Sequence, residues 1–304
     1  MRSSESRDDD IVGREVPLAA LTWFRVGGPA ETLARPRTPE EAADLVARAR
    51  GEGKAVRVLG AGSNVLVSDK GVRGLVLVLS AEPFKSLARL ENDVVHCGAG
   101  VKLRRLVNSL ADWALAGGEG LSGIPGTVGG ALVTNAGTSE GEIGPTAKRV
   151  WTLAPDGRPE ELEAGGFRFA YRSSTLAGRV VLGAELAFTP SSPETIRARM
   201  ESLSARRRSS QPEAVRTAGC VFKNPPGTTA GRLLDELGLK GLARGNSRVS
   251  PVHANFMEAR EGATAGELKA LIDECRRRVK DATGIDLELE LDLWGFEENE
   301  SIEP

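Results

Sequence analysis

Two glycine-dense segments of the chain could bind a phosphate group. They are Gly60-Ala61-Gly62-Ser63-Asn64 and the stretch 123–137, and they contribute to an unusually large total of 36 glycines in 304 residues. Glycine permits a positive φ and a close approach of the backbone, so successive N–H groups can form a concave anion site. Either loop alone would ordinarily be a tight turn. Two such loops, each beside apolar strand-like runs, favour a large phosphate-bearing cofactor.

A second group of residues could handle carboxylates, phosphates and protons. Cys220 carries a thiol, which is a far better acid than an alcohol, and Lys223 follows it as a compact charge suited to phosphate. Arg172 stands beside Tyr171, the only tyrosine of the chain. Its planar guanidinium can grip a carboxylate with two hydrogen bonds. Each residue also has an ordinary structural interpretation: Arg172 could be a solvated surface arginine, and Cys220 could be a small buried hydrophobic residue.

The C-terminal stretch IDLELELDLWG alternates apolar and acidic residues. The acids are Asp286, Glu288, Glu290 and Asp292. A period of two places all four on one face of a strand, and the ordinary expectation for such a face is contact with water.

Composition excludes several classes of function. With 40 Lys+Arg against 42 Asp+Glu, the chain has no electrostatic footprint for nucleic acid or an anionic membrane. Two histidines leave little room for a His-rich metal site, and no metal is expected. The start MRSSESRDDD lacks an apolar leader, and no run of about 18 apolar residues occurs. Cys97, Cys220 and Cys275 lack CxxC spacing, which favours a reducing compartment, and we expect Cys97 and Cys275 to be buried.

Local patterns predict a mixture of helices and short strands, typical of an α+β or α/β architecture. Thr38-Pro39-Glu40-Glu41 is a helix start that should continue to about Arg50. Further helices are predicted at 103–117, 194–208, 228–238 and 264–283. Strands are predicted at 55–60, 75–80, 93–98, 148–153, 180–188, 248–257 and 285–293. The GxGxxG match at 118–123 follows a predicted helix rather than a strand, so no Rossmann site is expected there.

Several longer motifs occur in a fixed order along the chain. They are TWFRVGGPA (22–30), LGAGSNVLVSD (59–69), SGIPGTVGGALVTNAG (122–137), FAYRSS (169–174), SQP (210–212), AGCVFKNPPG (218–227), AGRLLDELGLKG (230–241), VHANF (252–256) and LELELDLWG (287–295). This series resembles the UDP-N-acetylenolpyruvoylglucosamine reductase family, also called UDP-N-acetylmuramate dehydrogenases, over residues 20–296. The absence of a long insertion after Tyr171-Arg172 is similar to the shorter type of that family.

The resemblance implies a PCMH/vanillyl-alcohol-oxidase-type FAD-binding region with two subdomains, followed by a C-terminal α/β substrate-binding domain. The expected ranges are a tail at 1–14, an FAD region at 15–200 divided near residue 80, a substrate domain at 205–296 and a tail at 297–304. FAD would be bound without a covalent link. The implied FAD contacts are Gly60, Gly62, Ser63, Asn64, Val65, Gly123, Ile124, Thr127, Gly130 and Asn135.

The resemblance also implies a reaction. NADPH would reduce the flavin, and flavin N5 would deliver hydride to C3 of the enolpyruvyl group of UDP-N-acetylglucosamine-enolpyruvate, giving UDP-N-acetylmuramate for peptidoglycan synthesis. Arg172 would bind the substrate carboxylate, Cys220 would protonate C2 in place of the usual serine, and Glu290 would assist the enol-like intermediate. The implied substrate contacts are Tyr171, Lys223, Asn224, His253 and Asn255. A cytoplasmic monomer with no nucleic-acid or membrane partner is expected.

Some positions depart from the family pattern. They are Ser139 and Glu140 where an aromatic-Gly pair is usual, Pro251 and Val252 where polar or basic residues are usual, and Asp292 where a basic residue is common. Two alternatives therefore stay open: another FAD-dependent oxidoreductase of the same fold, and a non-catalytic paralogue that binds FAD or a UDP-sugar.

Overall fold

A computed structural model describes residues 12–296, which form two compact units. Within that range, the first unit comprises 12–14, Thr32–Ala61 and Gly74–Arg207, and the second comprises Glu15–Glu31, Gly62–Arg73 and 208–296. The ranges expected from the sequence were continuous, so they differ from these units in the N-terminal half. The predicted tails at 1–11 and 297–304 lie outside the described residues, whereas residues 12–14 belong to a strand rather than to a tail.

Most helices follow local signals, but the helix at Val128–Thr134 falls within the stretch 123–137, for which the sequence predicted only a glycine-rich loop. Across residues 12–296 they are α1 (Pro39–Gly51), α2 (Leu103–Asp112), α3 (Val128–Thr134), α4 (Pro193–Ser210), α5 (Ala230–Glu236) and α6 (Ala265–Thr283). Single 3-10 turns lie at Ala19–Leu21, Glu82–Lys85, Glu119–Leu121 and Gly144–Thr146. The predicted N-cap is confirmed, since Thr38 Oγ1 accepts from Glu41 N–H at 3.2 Å. The helix predicted at 103–117 ends earlier because Ala114 adopts a φ of 58°.

The strands are short. In chain order within residues 12–296 they are β1 (Val12–Pro17), β2 (Pro29–Ala34), β3 (Val56–Val58), β4 (Val65–Val67), β5 (Val72–Leu77), β6 (Leu87–Arg89), β7 (Val94–Gly98), β8 (Leu115–Ala116), β9 (Gly137–Thr138), β10 (Gly141–Glu142), β11 (Ala147–Leu153), β12 (Pro159–Glu163), β13 (Phe169–Ala170), β14 (Ser173–Ser174), β15 (Val180–Ala187), β16 (Thr189–Pro190), β17 (Ala243–Arg244), β18 (Ser247–Val249), β19 (Met257–Ala259) and β20 (Asp292–Trp294). The α+β composition predicted from the sequence is confirmed.

The first unit is organised around a five-stranded antiparallel sheet in the order β12-β11-β15-β7-β6. Val150, Ala184 and Cys97 lie directly opposite one another on neighbouring strands, and all three are fully buried. Helix α2 adds Leu106 and Leu110 to the same core. In this unit β3 also pairs in parallel with β5. Burial of one face of this sheet fixes the register of its strands.

The second unit has its own core, built on helix α6. Leu268, Leu271, Ile272 and Cys275 follow helical spacing and are fully buried. The antiparallel strands β17-β18-β19 form a small sheet in this unit.

Strands β4 and β20 pair in parallel, with Val65 opposite Asp292, which explains why Gly62–Arg73 belongs to the second unit. Two strand predictions are wrong in extent. The segment 285–293 pairs as a named strand only at Asp292–Trp294, and the segment 248–257 is interrupted between β18 and β19. Within the described residues, no helix has the length and apolar character needed to cross a membrane.

Candidate functional site

The two predicted phosphate loops approach each other within the first unit. A Cβ placed on Gly60 would lie 2.7 Å from Thr127 Oγ1, so a larger residue at position 60 would collide with the second loop. Within residues 12–296, the backbone N–H groups of Gly60, Ala61, Gly123, Gly126 and Thr127 donate to no protein acceptor. Gly60 and Gly123 are exposed, and successive backbone N–H donors on such loops suit an anionic ligand.

The remainder of the first loop is in the second unit and contacts a predicted catalytic residue. Asn64 Nδ2 donates to the carbonyl oxygen of Glu290 at 2.9 Å, and Asp292 N–H donates to the Asn64 carbonyl at 3.0 Å. Gly62 has a φ of 65° and accepts a hydrogen bond from Trp23 N–H. The sequence placed Asn64 with the cofactor and Glu290 with catalysis, and the structure brings these two residues together.

Cys220 begins a short extended segment held between two other segments of the second unit. On one side Val221 N–H donates to the Asn255 carbonyl at 2.9 Å, and Cys220 itself forms an antiparallel bridge with Phe256. On the other side Glu290 N–H donates to the Val221 carbonyl at 2.8 Å. The backbone therefore fixes Cys220, Asn255 and Glu290 in one place, although they are far apart in the sequence.

The three cysteines differ in their surroundings. Cys97 and Cys275 are fully buried, which confirms the prediction for both, whereas Cys220 is only partly buried. Burial raises the pKa of the Cys97 thiol far above its usual range and raises the pKa of Cys275 to about 12. Both buried thiols therefore stay protonated near neutral pH. Cys220 is therefore the partly accessible thiol of the chain.

The side chain of Asn255 binds the backbone of this segment, and His253 in turn binds the backbone of Asn255. The Asn255 side chain is 2% exposed; its Oδ1 accepts from Phe222 N–H at 2.9 Å, and its Nδ2 donates to the Phe222 carbonyl at 2.8 Å. Asn255 N–H donates to His253 Nδ1 at 3.2 Å. An accepting Nδ1 leaves the proton of the neutral ring on Nε2. Burial lowers the pKa of His253, so the neutral ring is favoured.

Lys223 and Asn224 already have partners in the protein. The Lys223 ammonium forms an ion pair with Glu288, and Lys223 N–H donates to the Glu288 carbonyl at 2.8 Å. Asn224 Oδ1 accepts from Ala230 N–H at 3.0 Å, at the start of α5. The side chains of Lys223 and Glu288 are 19% and 72% exposed, so water screens the ion pair in part.

Arg172 occupies an unusual backbone position in the first unit. It is the second residue of the two-residue turn between β13 and β14, because Ala170 lies opposite Ser173. Its φ is 51°, a left-handed value that favours Gly or Asn at such a turn position. Its Nη2 donates to the Gly137 carbonyl at 2.8 Å, and its guanidinium carbon lies 5.1 Å from the Tyr171 ring centroid. The guanidinium is therefore held in a defined orientation.

Asn135, predicted to bind the cofactor, organises the loop that faces Arg172. Its φ is 48° and its side chain is almost fully buried. Its Nδ2 donates to Glu142 Oε2 at 2.7 Å and to the Ala170 carbonyl at 3.0 Å, while its Oδ1 accepts from Gly144 N–H at 3.0 Å. Glu142, Tyr171 and Asn135 border a cavity of about 370 Å³. The amide group of Asn135 is fully engaged with the protein, and its predicted contact with the cofactor stays a prediction.

Two residues that hold this architecture were not singled out from the sequence. Glu142 contacts both Asn135 and Arg172, and Asp69 accepts hydrogen bonds from Ala265 and Gly266 N–H at 2.9 and 2.8 Å at the start of α6. Asp69 ends the LGAGSNVLVSD motif, so its position in a motif was the available signal. Glu142 lies five residues after the end of the SGIPGTVGGALVTNAG motif, and its closeness to that motif was the signal available for it.

The departures from the family pattern have structural counterparts. Glu140 pairs with Arg199 and Arg206 of α4, at 3.5 and 3.4 Å. Asp292 accepts a hydrogen bond from Trp294 Nε1 at 2.7 Å, and Val252 is half exposed. Each of these departures is accommodated by contacts or exposure within its own unit.

Comparison with known proteins gives matches over nearly the whole chain. A family model described as "UDP-N-acetylenolpyruvoylglucosamine reductase, C-terminal domain" matches residues 211–294, and one described as "FAD binding domain" matches residues 30–162. These matches confirm the predicted FAD-binding region followed by a C-terminal domain of the reductase type.

Individual relatives agree with the family models. A UDP-N-acetylenolpyruvoylglucosamine reductase from Moorella thermoacetica is 44% identical, covering 92% of this chain and 92% of its own. A second, from Symbiobacterium thermophilum, is 40% identical over 95% of this chain and 94% of its own. The crystal structure of UDP-N-acetylenolpyruvylglucosamine reductase from Thermus caldophilus superimposes with a TM-score of 0.81 at 38% identity, covering 93% of this chain and 98% of that one.

Proposed function

Since this chain belongs to the UDP-N-acetylenolpyruvoylglucosamine reductase family, we propose that it reduces UDP-N-acetylglucosamine-enolpyruvate to UDP-N-acetylmuramate with electrons from NADPH. The observation that carries the proposal is the backbone arrangement in the second unit. It joins the segments of Cys220, Glu290 and Asn64 through the hydrogen bonds from Glu290 N–H to the Val221 carbonyl at 2.8 Å and from Asn64 Nδ2 to the Glu290 carbonyl at 2.9 Å. The proposed acid, the proposed catalytic carboxylate and a residue of the proposed phosphate-binding loop therefore belong to neighbouring segments of the second unit.

The residues present fit the cofactor that the family model implies. In the first unit, the close approach of Gly60 to Thr127 and the unpaired N–H groups of both loops provide donors for a diphosphate. The residues proposed to contact FAD are Gly60, Gly62, Ser63, Asn64, Val65, Gly123, Ile124, Thr127, Gly130 and Asn135. When bound, FAD would accept hydride from NADPH and supply it to C3 of the enolpyruvyl group.

Arg172 is proposed to bind the substrate carboxylate. Hydride addition at C3 moves negative charge toward C2 and the carboxylate, and a fixed cation lowers the energy of that charge. The Gly137 carbonyl and the Tyr171 ring already orient the guanidinium, so little reorganisation is required when the substrate binds. The adjacent Tyr171, which is 46% exposed, is proposed to contact the substrate.

Cys220 is proposed to donate the proton to C2. The proton on Sγ would be transferred to C2 as negative charge develops there. This leaves a thiolate that is reprotonated before the next turnover. Glu290, held by the Val221 carbonyl through its own backbone, would assist the enol-like intermediate with its carboxylate. Lys223, Asn224 and His253 are proposed to contact the UDP-sugar. Asn255 is also proposed to contact the UDP-sugar, and its side chain holds the backbone of Phe222.

Cys220 variants test this assignment. Enzyme reduced with NADPH under anaerobic conditions is mixed with the enolpyruvyl UDP-sugar, and flavin reoxidation is followed by absorbance. We expect Cys220→Ser to keep substantial activity. Cys220→Ala should reoxidise about 10²–10⁴-fold more slowly, the usual contribution of a general acid. Flavin reduction by NADPH should be unchanged in both. Wild-type reoxidation in the Ala variant would contradict the role of Cys220.

The same assay separates the alternatives. NADPH oxidation that does not depend on the enolpyruvyl UDP-sugar would indicate another FAD-dependent oxidoreductase. Bound flavin without NADPH oxidation would indicate a non-catalytic paralogue. We further propose that the enzyme works as a cytoplasmic monomer; the lack of a disulfide among its three cysteines agrees with a reducing compartment.

A further inference from the structure

Glu142 connects two residues that both have left-handed backbones. Its Oε2 accepts from Asn135 Nδ2 at 2.7 Å, and its Oε1 lies 3.7 Å from Arg172 Nη1. Asn135 and Arg172 have φ values of 48° and 51°. Asn tolerates this conformation, but Arg does so only at an energetic cost that the surrounding contacts must compensate. Strain of this kind, at a residue that binds charge, points to a requirement for a particular orientation.

The contacts around Arg172 define that orientation. Its Nη2 is fixed on the Gly137 carbonyl, and its Nη1 faces the Glu142 carboxylate. The side chains of Arg172 and Glu142 are 17% and 30% exposed, so water screens their interaction only in part. Glu142 cannot move freely toward Arg172, because its other oxygen is held by the buried amide of Asn135.

We infer that Glu142 is a positioning residue for Arg172 in the proposed reaction, an inference that rests on the proposed function. The carboxylate restrains the guanidinium from a second direction, which keeps it in the orientation that the proposed contact with the substrate carboxylate requires. The same negative charge also repels that incoming carboxylate. Glu142 therefore improves the orientation of bound substrate while it weakens substrate binding.

Glu140 offers a matched control in the same loop. It lies two residues before Glu142 and pairs with Arg199 and Arg206 of α4, at 3.5 and 3.4 Å. Replacing Glu140 removes an acid of equal charge from the same β9–β10 hairpin, and its ion pairs with Arg199 and Arg206 involve neither Arg172 nor Asn135. Any effect of charge on loop folding alone should therefore be common to both positions.

The test compares Glu142→Gln, Glu142→Ala and Glu140→Gln with the wild type in steady-state and half-reaction assays. A glutamine oxygen can still accept from Asn135 Nδ2, so Glu142→Gln keeps the loop and removes the charge. We expect it to lower the KM for the enolpyruvyl UDP-sugar about two- to fivefold and to lower kcat. Glu142→Ala should slow substrate-dependent flavin reoxidation at least tenfold. Flavin content and reduction by NADPH should stay within about twofold of wild type in both variants.

Each outcome decides the matter. A lower KM in Glu142→Gln with an unchanged NADPH half-reaction supports the inference, because loss of folding would not tighten substrate binding. An unchanged or raised KM in that variant, or the same KM change in Glu140→Gln, would overturn it. If the wild type itself showed no turnover that depends on the UDP-sugar, the proposed function would fail, and the role of Glu142 in it would fail as well.

Discussion

Asn255→Ala tests whether the segment that carries Cys220 is held by a single buried side chain. The Asn255 amide makes two hydrogen bonds with the backbone of Phe222, at 2.9 and 2.8 Å, in a site where Asn255 is 2% exposed and Phe222 is 1% exposed. Alanine would leave the Phe222 N–H and C=O without these partners. The variant isolates this contact, because the backbone hydrogen bond from Val221 to residue 255 is retained.

The magnitude follows from the two lost hydrogen bonds. A buried polar group left unsatisfied costs about 1–3 kcal/mol, so two such groups give about 2–4 kcal/mol if water partly reaches one of them. For a unit of about 100 residues, each kcal/mol lowers the Tm by about 4–8 °C. We therefore expect the calorimetric transition of the second unit to fall by about 8 °C or more. Displacement of the segment should also slow substrate-dependent flavin reoxidation.

Two further variants make the measurement decisive. Asn255→Asp keeps an oxygen for Phe222 N–H but turns the other atom from a donor into an acceptor facing a carbonyl, so it should not restore stability. Asn246 is an exposed asparagine of the same unit, and Asn246→Ala should change stability by less than about 0.5 kcal/mol. A change this small in Asn255→Ala, or full stability in Asn255→Asp, would refute the reasoning.

Three other outcomes are expected from single contacts. Gly60→Ala would place a methyl group 2.7 Å from Thr127 Oγ1, so FAD affinity in flavin-fluorescence titrations should fall at least tenfold, and an unchanged affinity would contradict the proposed role of the loop. Asp69→Ala removes both acceptors at the start of α6 and should cost about 1–2 kcal/mol in urea unfolding, whereas Asp69→Asn should recover part of this. Burial lowers the pKa of His253, so the unfolded chain binds a proton below about pH 6.5 while the native state stays neutral. Stability should fall as the pH drops below that value, and His253→Gln should show a shallower loss; equal slopes would contradict the assignment.

Local signals in the sequence predicted the helices better than the strands. Thr38 and Thr264 cap their helices through their own side chains, and such caps depend only on neighbouring residues. The segment 285–293 shows why strands were harder. Its alternation matches the observed burial of Leu287 and Leu291, yet only Asp292–Trp294 forms a named strand. The pairing partner, β4, is far away in the sequence, and alternation carries no information about it.

The candidate site was predictable in its residue types but not in its contacts. Motifs placed Cys220, Glu290 and Asn64 in functional roles, and the structure brings these three together in the second unit. The same reasoning assigned Asn135 and Asn255 to ligand binding; their amide groups make hydrogen bonds within the protein, and their ligand contacts stay predictions. An amide suits a ligand and a backbone equally well, so residue type could not separate the two uses.

The pairing of β4 with β20 imposes an order on synthesis and folding. Asn64 and Glu290, which lie beside these strands and share a hydrogen bond, are 226 positions apart. At about 5–20 residues per second on the ribosome, β4 waits roughly ten to forty-five seconds for its partner. Val65, Leu66 and Val67 are buried in the finished protein, so a nascent chain carries this apolar edge unpaired for that time. A chain interrupted before residue 292 would keep the edge permanently open and should be prone to aggregate.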